Sequence, residues 1–274
     1  MHRLSNAWRL SKASWQVLSH DRELIAIPIV AGIGAILAFL AIVGPGVLLL
    51  GDGGEDSSGN WALWVLGALA LVVATWISAV GQATVVAGAA QRMDGGNPTI
   101  GSSFEVARTR LGRILEWAVL ATVVSIVLDQ IEERLGILGR VISWIGSVAF
   151  TVMSFLALPV IVFENVGAID AFKRSSQLLK ATWGEQVAFS FAIGLLGFLL
   201  ALPAILVGGL LLATGVVVLQ AVGVLAAVAW IALVMAVTSA LSAVFKAALY
   251  RYAVGKPVDP AFSPSDLSGA FQRR

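Results

Sequence analysis

Apolar runs alternate with short polar, mostly basic segments along the whole chain. The runs fall at about 24–48, 61–89, 114–131, 141–163, 187–212 and 217–247. Each reaches or approaches the ~20 residues a helix needs to cross a hydrocarbon core of about 30 Å. The last two come from one uncharged stretch, Gln186 to Phe245. As a straight helix that stretch would be about 90 Å long, so it must fold back once. Ala213-Thr214-Gly215 is the expected turn and Gly208-Gly209 the competing one. The pattern predicts an all-α, polytopic transmembrane helix bundle of six spans, one domain over 1–250 with a tail over 251–274.

Three basic amphipathic helices are expected between the runs. Around 168–183, Ile169, Phe172, Ser176, Leu179 and Trp183 share one face, while Asp170, Lys173, Arg174, Gln177 and Lys180 fall elsewhere. In the leader, Leu4, Trp8, Ser11, Trp15 and Leu18 form a stripe beside Arg3, Arg9 and Lys12; the competing reading is a disordered basic leader. The third helix starts at Ser102-Ser103-Phe104-Glu105, read as a capping box, and carries Phe104, Ala107, Leu111, Leu115 and Ala118 into the third span. Helices of this kind lie in the membrane surface with their rings down. The candidate lipid-facing residues are Trp8, Arg9, Lys12, Trp15, Arg108, Arg110, Arg113, Lys173, Arg174, Lys180 and Trp183. Aligning Trp8, Phe104 and Phe172 puts one such helix before each pair of spans, which suggests three helix-plus-hairpin repeats. The alternative is coincidence, because the spacings are unequal and short amphipathic helices align easily.

Within the spans, Gly44-Pro45-Gly46 should kink or end the first helix. The acidic segment 51–60 reads as a solvated turn rather than a cation loop. Ala79, Ala83, Ala87, Gly88 and Ala90 offer a small-residue surface for close helix approach. Gln82 is expected to bond to a neighbouring helix, or else to line a solute path. Glu116 and Asp129 would lie only about 20 Å apart along a helix axis, so one of them sits at or below the hydrocarbon edge. The competing reading is that each reaches headgroups or pairs with a basic neighbour. The proline-rich tail reads as an extended tether ending in a short amphipathic segment.

Composition agrees with lipid as solvent: of 274 residues, 58% are hydrophobic and 12% charged, against about 45–50% and 25% in soluble domains. The chain has no cysteine, which excludes disulfides, thiolate metal sites and S-acylation. A net charge of +2 argues against nucleic acid as a partner. Its distribution says more. Of the 18 Lys and Arg, all but Arg134 and Arg140 lie in the leader, in 90–113, in 164–185 or from Lys246 onward. By the positive-inside rule both ends face the cytoplasm, and the expected location is the plasma membrane. The long charged leader and long first run read as a retained span, not a cleaved signal.

Little catalytic chemistry is available. His2 and His20 both lie in the leader, and neither HExxH nor a Walker loop occurs. Ser242 and Lys246 share a helical face, but a lysine near a helix end is expected to snorkel. No enzyme activity and no cofactor are expected. The main expectation is a non-enzymatic component that binds anionic inner-leaflet lipids, partner subunits or a second copy of itself. The alternative is a small-solute or lipid transporter or channel, with Gln82, Glu116 and Asp129 as path residues.

At LPVIVFENVGAIDAFKRSSQLLKATWGE, at AWRLSKASWQVLSHDRELIAIP and at ALYRYAVGKPVDPAF, the chain resembles an uncharacterised prokaryotic six-span family, domain of unknown function 6159. The central stretch is also similar to the membrane domain fused to some glycerophosphodiester phosphodiesterases. There a proline-ended span precedes Ala-x-x-x-Ser-x-x-Leu, here Ala171, Ser175 and Leu178. Neither resemblance implies an activity. The alanine-, valine- and glycine-rich spans suit a bacterium of high-GC coding. Topology reporters fused after Gly54 and after Arg274 are expected to map to opposite sides of the membrane; the same side for both would overturn the assignment.

Overall fold

A computed structural model describes residues 2–20, 23–50, 60–179, 183–214, 216–259 and 262, and for 2–9, 20, 49–50, 60 and 183–192 the backbone alone. The described residues form helices and connections, without strands. In order they are α1 (His2–His20), α2 (Glu23–Leu50), α3 (Asn60–Met93), α4 (Ile100–Arg108), α5 (Leu111–Met153), α6 (Ala157–Glu164), α7 (Ala168–Leu179), α8 (Trp183–Leu212) and α9 (Val217–Ala253). Among the described residues, five stretches are long and apolar enough to cross a membrane: Glu23–Leu48, Trp61–Met93, Leu111–Glu164, Ile193–Leu212 and Val217–Ala253.

The third of these folds back on itself. Gly136 has φ 56° and ψ −126°, outside the helical region and in territory that L side chains rarely enter. Were α5 straight, Trp117 and Phe150 would be about 50 Å apart. Their rings instead stack with centroids 5.8 Å apart. A Cβ on Gly139 would collide with the Ile131 carbonyl oxygen, so the turn closes tightly, and Arg140 reaches back to Glu132 at 3.2 Å. The sequence placed two spans here, 114–131 and 141–163. The first arm extends to the Gly136 turn, and the second breaks at Ser154–Leu156 before continuing as α6.

Three hairpins result: α2 with α3, the two arms of α5, and α8 with α9. The chain turns after α8 at Ala213 and Thr214, within the expected turn, and Gly208 and Gly209 are inside α8. Small residues let the helices close in. A Cβ on Gly81 would lie 2.5 Å from the Ala31 Cβ, so α2 and α3 touch almost backbone to backbone there. The expected small surface of α3 is buried at Ala79, Ala83, Ala87 and Ala90. Pro45 does not end α2, which continues to Leu50. One missing N–H is tolerated in an apolar helix whose other ladder bonds have no water to compete with them.

The short helices pack in a cyclic order. α4 packs on α3, α7 on α5 and α6, and α1 on α8 and α9. Each therefore leans on the hairpin before it, with α1 closing the circle on the last one. The core lies at this end, in α3 from Ala83 to Ala90, in Leu156–Val162 and in α9 from Ala240 to Arg251. Toward the opposite end the helices expose large apolar side chains such as Trp64, Ile137, Leu138, Leu206 and Leu225.

Several expectations change in detail. The capping box opening α4 is Thr99 with Ser102, not Ser102 with Glu105. Thr99 has extended backbone and accepts from the Ser102 N–H, while Glu105 is drawn to Arg108 one turn on. A turn at Thr109–Arg110 separates α4 from α5, so this helix does not run on into the span. On α7 the buried line is Ala168, Ala171, Ser175 and Leu179, and Ile169 is 62% exposed. On α1 Leu10, Ser11, Ala13, Ser14, Val17 and Leu18 are buried, and Trp15 is 47% exposed. In both helices small residues share the face toward the protein, because these allow close approach, while Trp15 of one expected stripe and Ile169 of the other turn outward and Phe172 packs on Phe150. The tail is not a free tether at its start: Phe262 is buried in the core. The acidic turn at 51–59 and the end of the tail lie outside the described residues.

Gly136→Ala is expected to cost about 1–3 kcal/mol and lower the thermal midpoint in detergent by several degrees. Gly112→Ala, where a Cβ meets nothing within 4 Å, should leave it unchanged or slightly raised.

Candidate functional site

The charged groups the sequence scatters are drawn together where the core lies. Arg251, on the last turn of α9, is only 5% exposed. Its Nη atoms donate to both oxygens of Asp94, one bond at 3.0 Å, and Nη1 also donates to the Ala90 carbonyl at 3.4 Å. Its Nε donates to the Pro257 carbonyl at 2.8 Å. The bidentate pair ties the end of α3 to the end of α9 and to the start of the tail. The hydrogen bonds from Arg251 hold the Asp94 carboxyl below the usual carboxylate range; desolvation opposes this, and the Arg251 and Lys256 charges reinforce it.

Two glutamates complete this layer. Glu164, at the end of α6, accepts from the Tyr250 hydroxyl at 3.0 Å and from Arg174 Nε at 3.3 Å. The Tyr250 ring stacks on Phe163 with centroids 5.2 Å apart. Glu116 binds Arg113 at 2.7 Å and accepts from the Ala168 N–H at 3.4 Å. It therefore places a carboxylate at the N-terminus of α7, where backbone donors and the helix dipole favour it.

The candidate lipid-facing cations whose side chains are described fall into three kinds. Lys12 and Lys173 project from exposed positions. Arg108 and Arg113 are exposed but bridged to Glu105 and Glu116. Arg110 and Arg174, read from the sequence as lipid-facing, are partly exposed and also bond to the protein, Arg110 donating to the Val162 carbonyl at 3.4 Å and Arg174 to Glu164 at 3.3 Å. The reason is local: the end of α6 presents the Val162 carbonyl and the Glu164 carboxylate as acceptors. Trp8, Arg9 and Trp183 lie on helices whose side chains are not described there, and Lys180 lies outside the described residues.

The three candidate path residues are not brought together. Asp129 faces a cavity of about 630 Å³ between α3 and α5 with Trp64 and Glu133. Glu116 borders another, of about 680 Å³, beside the start of α7. Gln82, expected to bond to a neighbouring helix, has no hydrogen bond among the described residues and sits in the wall shared by two cavities. One of these holds Lys246, Ser242, Ser78, Thr75, Thr151 and Ser154 in a space of about 650 Å³. Lys246 does not behave as a snorkelling residue. Its Nζ lies 5.2 Å from the centroid of the Phe155 ring. No group of three or more His, Asp or Glu that could hold a metal occurs among the described residues.

The profile described as "Family of unknown function (DUF6159)" matches residues 61–258. The chain belongs to this family. None of the curated proteins matches it. In this DUF6159 chain the matched stretch opens with α3 and passes the end of α9, so it takes in the Asp94–Arg251 pair and the whole wall around Lys246. Ser175, met in the sequence only as part of a short motif, proves to be a strut between elements. Its buried Oγ accepts from the Leu156 N–H at 3.0 Å, in the gap between α5 and α6.

Because Asp94 is depressed in the folded chain, its contribution to stability is present above its unfolded pKa of about 3.9 and is lost as pH falls through the folded value. Asp94→Asn should lower the thermal midpoint near neutrality, and the gap to the unsubstituted protein should close as pH drops below about 4. A gap of constant size down to pH ~3 would contradict the assignment.

Proposed function

We propose that the protein is an integral component of a bacterial plasma membrane, with six crossings and both termini cytoplasmic, that binds anionic lipid of the inner leaflet and has no catalytic role. The observation that carries this reading is the gathering of α1, α4, α7 and the start of the tail at one end of three apolar hairpins. Lys12 and Lys173 project there from two of those helices. The reversal at Gly136 supports six crossings, since it divides the longest apolar stretch into two arms. The cyclic packing of α4, α7 and α1 supports a threefold repeat of helix plus hairpin. In the same reading Ser11, Ala107 and Ser175, each three residues beyond the aligned Trp8, Phe104 and Phe172, are all buried and serve as the contact point of each helix.

A cation beside an anionic leaflet contributes about 1 kcal/mol. Arg108 is bridged to the equally exposed Glu105, so replacing it leaves an unpaired negative charge facing the leaflet. Partner subunits or a second copy of the chain would meet the same surface.

The test is lipid retention by the purified protein in mixed-lipid nanodiscs, read by native mass spectrometry. The unsubstituted chain should enrich phosphatidylglycerol over phosphatidylcholine. Substituting Lys12, Arg108 and Lys173 together with Gln should reduce that enrichment by more than about tenfold. High salt should weaken it as well. Equal retention in both proteins would refute the reading.

A further inference from the structure

We propose that the cavity around Lys246 is a binding site for a single-chain amphiphile with one acidic headgroup, a carboxylate or a phosphate, which pairs with the lysine while the chain runs outward between the hairpins. This rests on the chain being membrane-embedded, and it does not depend on the surface lipid contacts proposed above.

Three independent features meet in this one space. The first is the lysine. Lys246 stands five residues before Arg251 on α9, so its backbone lies about 7.5 Å deeper than the polar layer. Its ammonium group faces Phe155 and the cavity, and no Asp or Glu is among the described residues of the cavity wall. The acids of the layer, Asp94, Glu116 and Glu164, are each engaged elsewhere. A cation at this depth is costly without a counter-charge, and a ring face supplies only part of one.

The second is the break in the helix. Non-helical backbone within a hydrocarbon layer is tolerated where protein buries it or where it lines a cavity. The gap between α5 and α6 does both. Ser154 and Phe155 are in the cavity wall, and Ser175 Oγ reaches from α7 to satisfy the Leu156 N–H. Discontinuous helices of this kind border substrate sites in membrane transporters. A buried serine on a separate helix holds this break in place, so it is a built feature.

The third is the two-sided wall. Farther from the polar layer than the Lys246 backbone, α3 offers Gln82, Ser78 and Thr75 in succession, a row of hydrogen-bonding groups. Across from them stand Trp117, Phe150 and Leu158. A volume of about 650 Å³ is within the range of small-ligand sites, ~300–1,000 Å³. Beyond it the hairpins carry exposed apolar side chains against which an acyl chain can lie.

The purified full chain in phosphatidylcholine nanodiscs would be titrated with palmitate, hexadecyl phosphate, hexadecanol and inorganic phosphate, with binding followed by calorimetry and native mass spectrometry. Both acidic amphiphiles should bind one per chain and compete with each other. Hexadecanol and inorganic phosphate should bind at least about tenfold more weakly. Lys246→Met should weaken the acidic amphiphiles by on the order of thirtyfold or more, and Lys246→Arg by only a few-fold. Should Lys246→Met fail to fold, Gln82→Leu, which removes a wall donor, is expected to weaken palmitate several-fold while hexadecanol is unchanged. Palmitate binding that survives Lys246→Met in folded protein, or hexadecanol binding as tightly as palmitate, would overturn the proposal. So would tight binding of inorganic phosphate, which would make the ligand a soluble anion. None of these results bears on phosphatidylglycerol retention through Lys12, Arg108 and Lys173, so the two readings fail separately.

Discussion

Arg251 gives its guanidinium N–H groups to the Asp94 carboxylate, the Ala90 carbonyl and the Pro257 carbonyl, and is almost wholly buried in doing so. The helices it joins, α3 and α9, pack on each other, and both also meet α2 and α6. A buried guanidinium needs every one of its donors answered, so the pair specifies a single approach of the two helices. Glu164 with Tyr250 and Arg174, and Glu116 with the start of α7, extend the same layer sideways. Apolar side chains facing lipid gain little by meeting one another, because lipid tails are as apolar as they are. Close packing of small residues and hydrogen bonding at the helix ends must therefore supply the specificity.

That division of labour accounts for the shape. Where polar groups and small residues coincide, between Ala83 and Ala90 on α3 and between Ala240 and Arg251 on α9, burial is nearly complete. Farther out each hairpin holds chiefly to its own partner. Leu128 meets Gly146, Leu211 meets Gly223, and the Trp230 indole N–H donates to the Leu200 carbonyl at 2.7 Å. This last bond sits in the turn of α8 that Pro203 loosens. Space between hairpins follows from this packing, and the cavities lie there.

The break before α6 is the one place where the backbone departs from helix inside the longest apolar stretch apart from the reversal at Gly136. Its cost is met by Ser175, by a turn in which the Ala157 N–H donates to the Ser154 carbonyl at 2.9 Å, and by the Trp117, Phe150 and Phe172 ring stack that holds α7 against both arms of α5. Ala171 has no atoms beyond Cβ, which brings α7 close enough for the Ser175 hydroxyl to reach. The Ala-x-x-x-Ser element of the sequence is thus the fitting that supports the discontinuity.

The sequence by itself determined what one-dimensional periodicity can encode: helices throughout, the positions of the long apolar stretches, the fold-back near Thr214, and the basic amphipathic character of α1, α4 and α7. Each depends on residues within a few turns of one another. It could not tell which face of α7 meets protein, because hydrophobicity favours Ile169 and Phe172 while close approach favours Ala171 and Ser175. Only the tertiary structure decided that Arg110 and Arg174 find acceptors at the end of α6, that Asp94 finds Arg251 at the far end of the chain, and that Lys246, the Ser154 break and Gln82 share one space. No local signal marks these pairings. They arise because three hairpins converge at one end, where buried groups such as the Arg251 guanidinium and the Leu156 N–H must find partners within the protein.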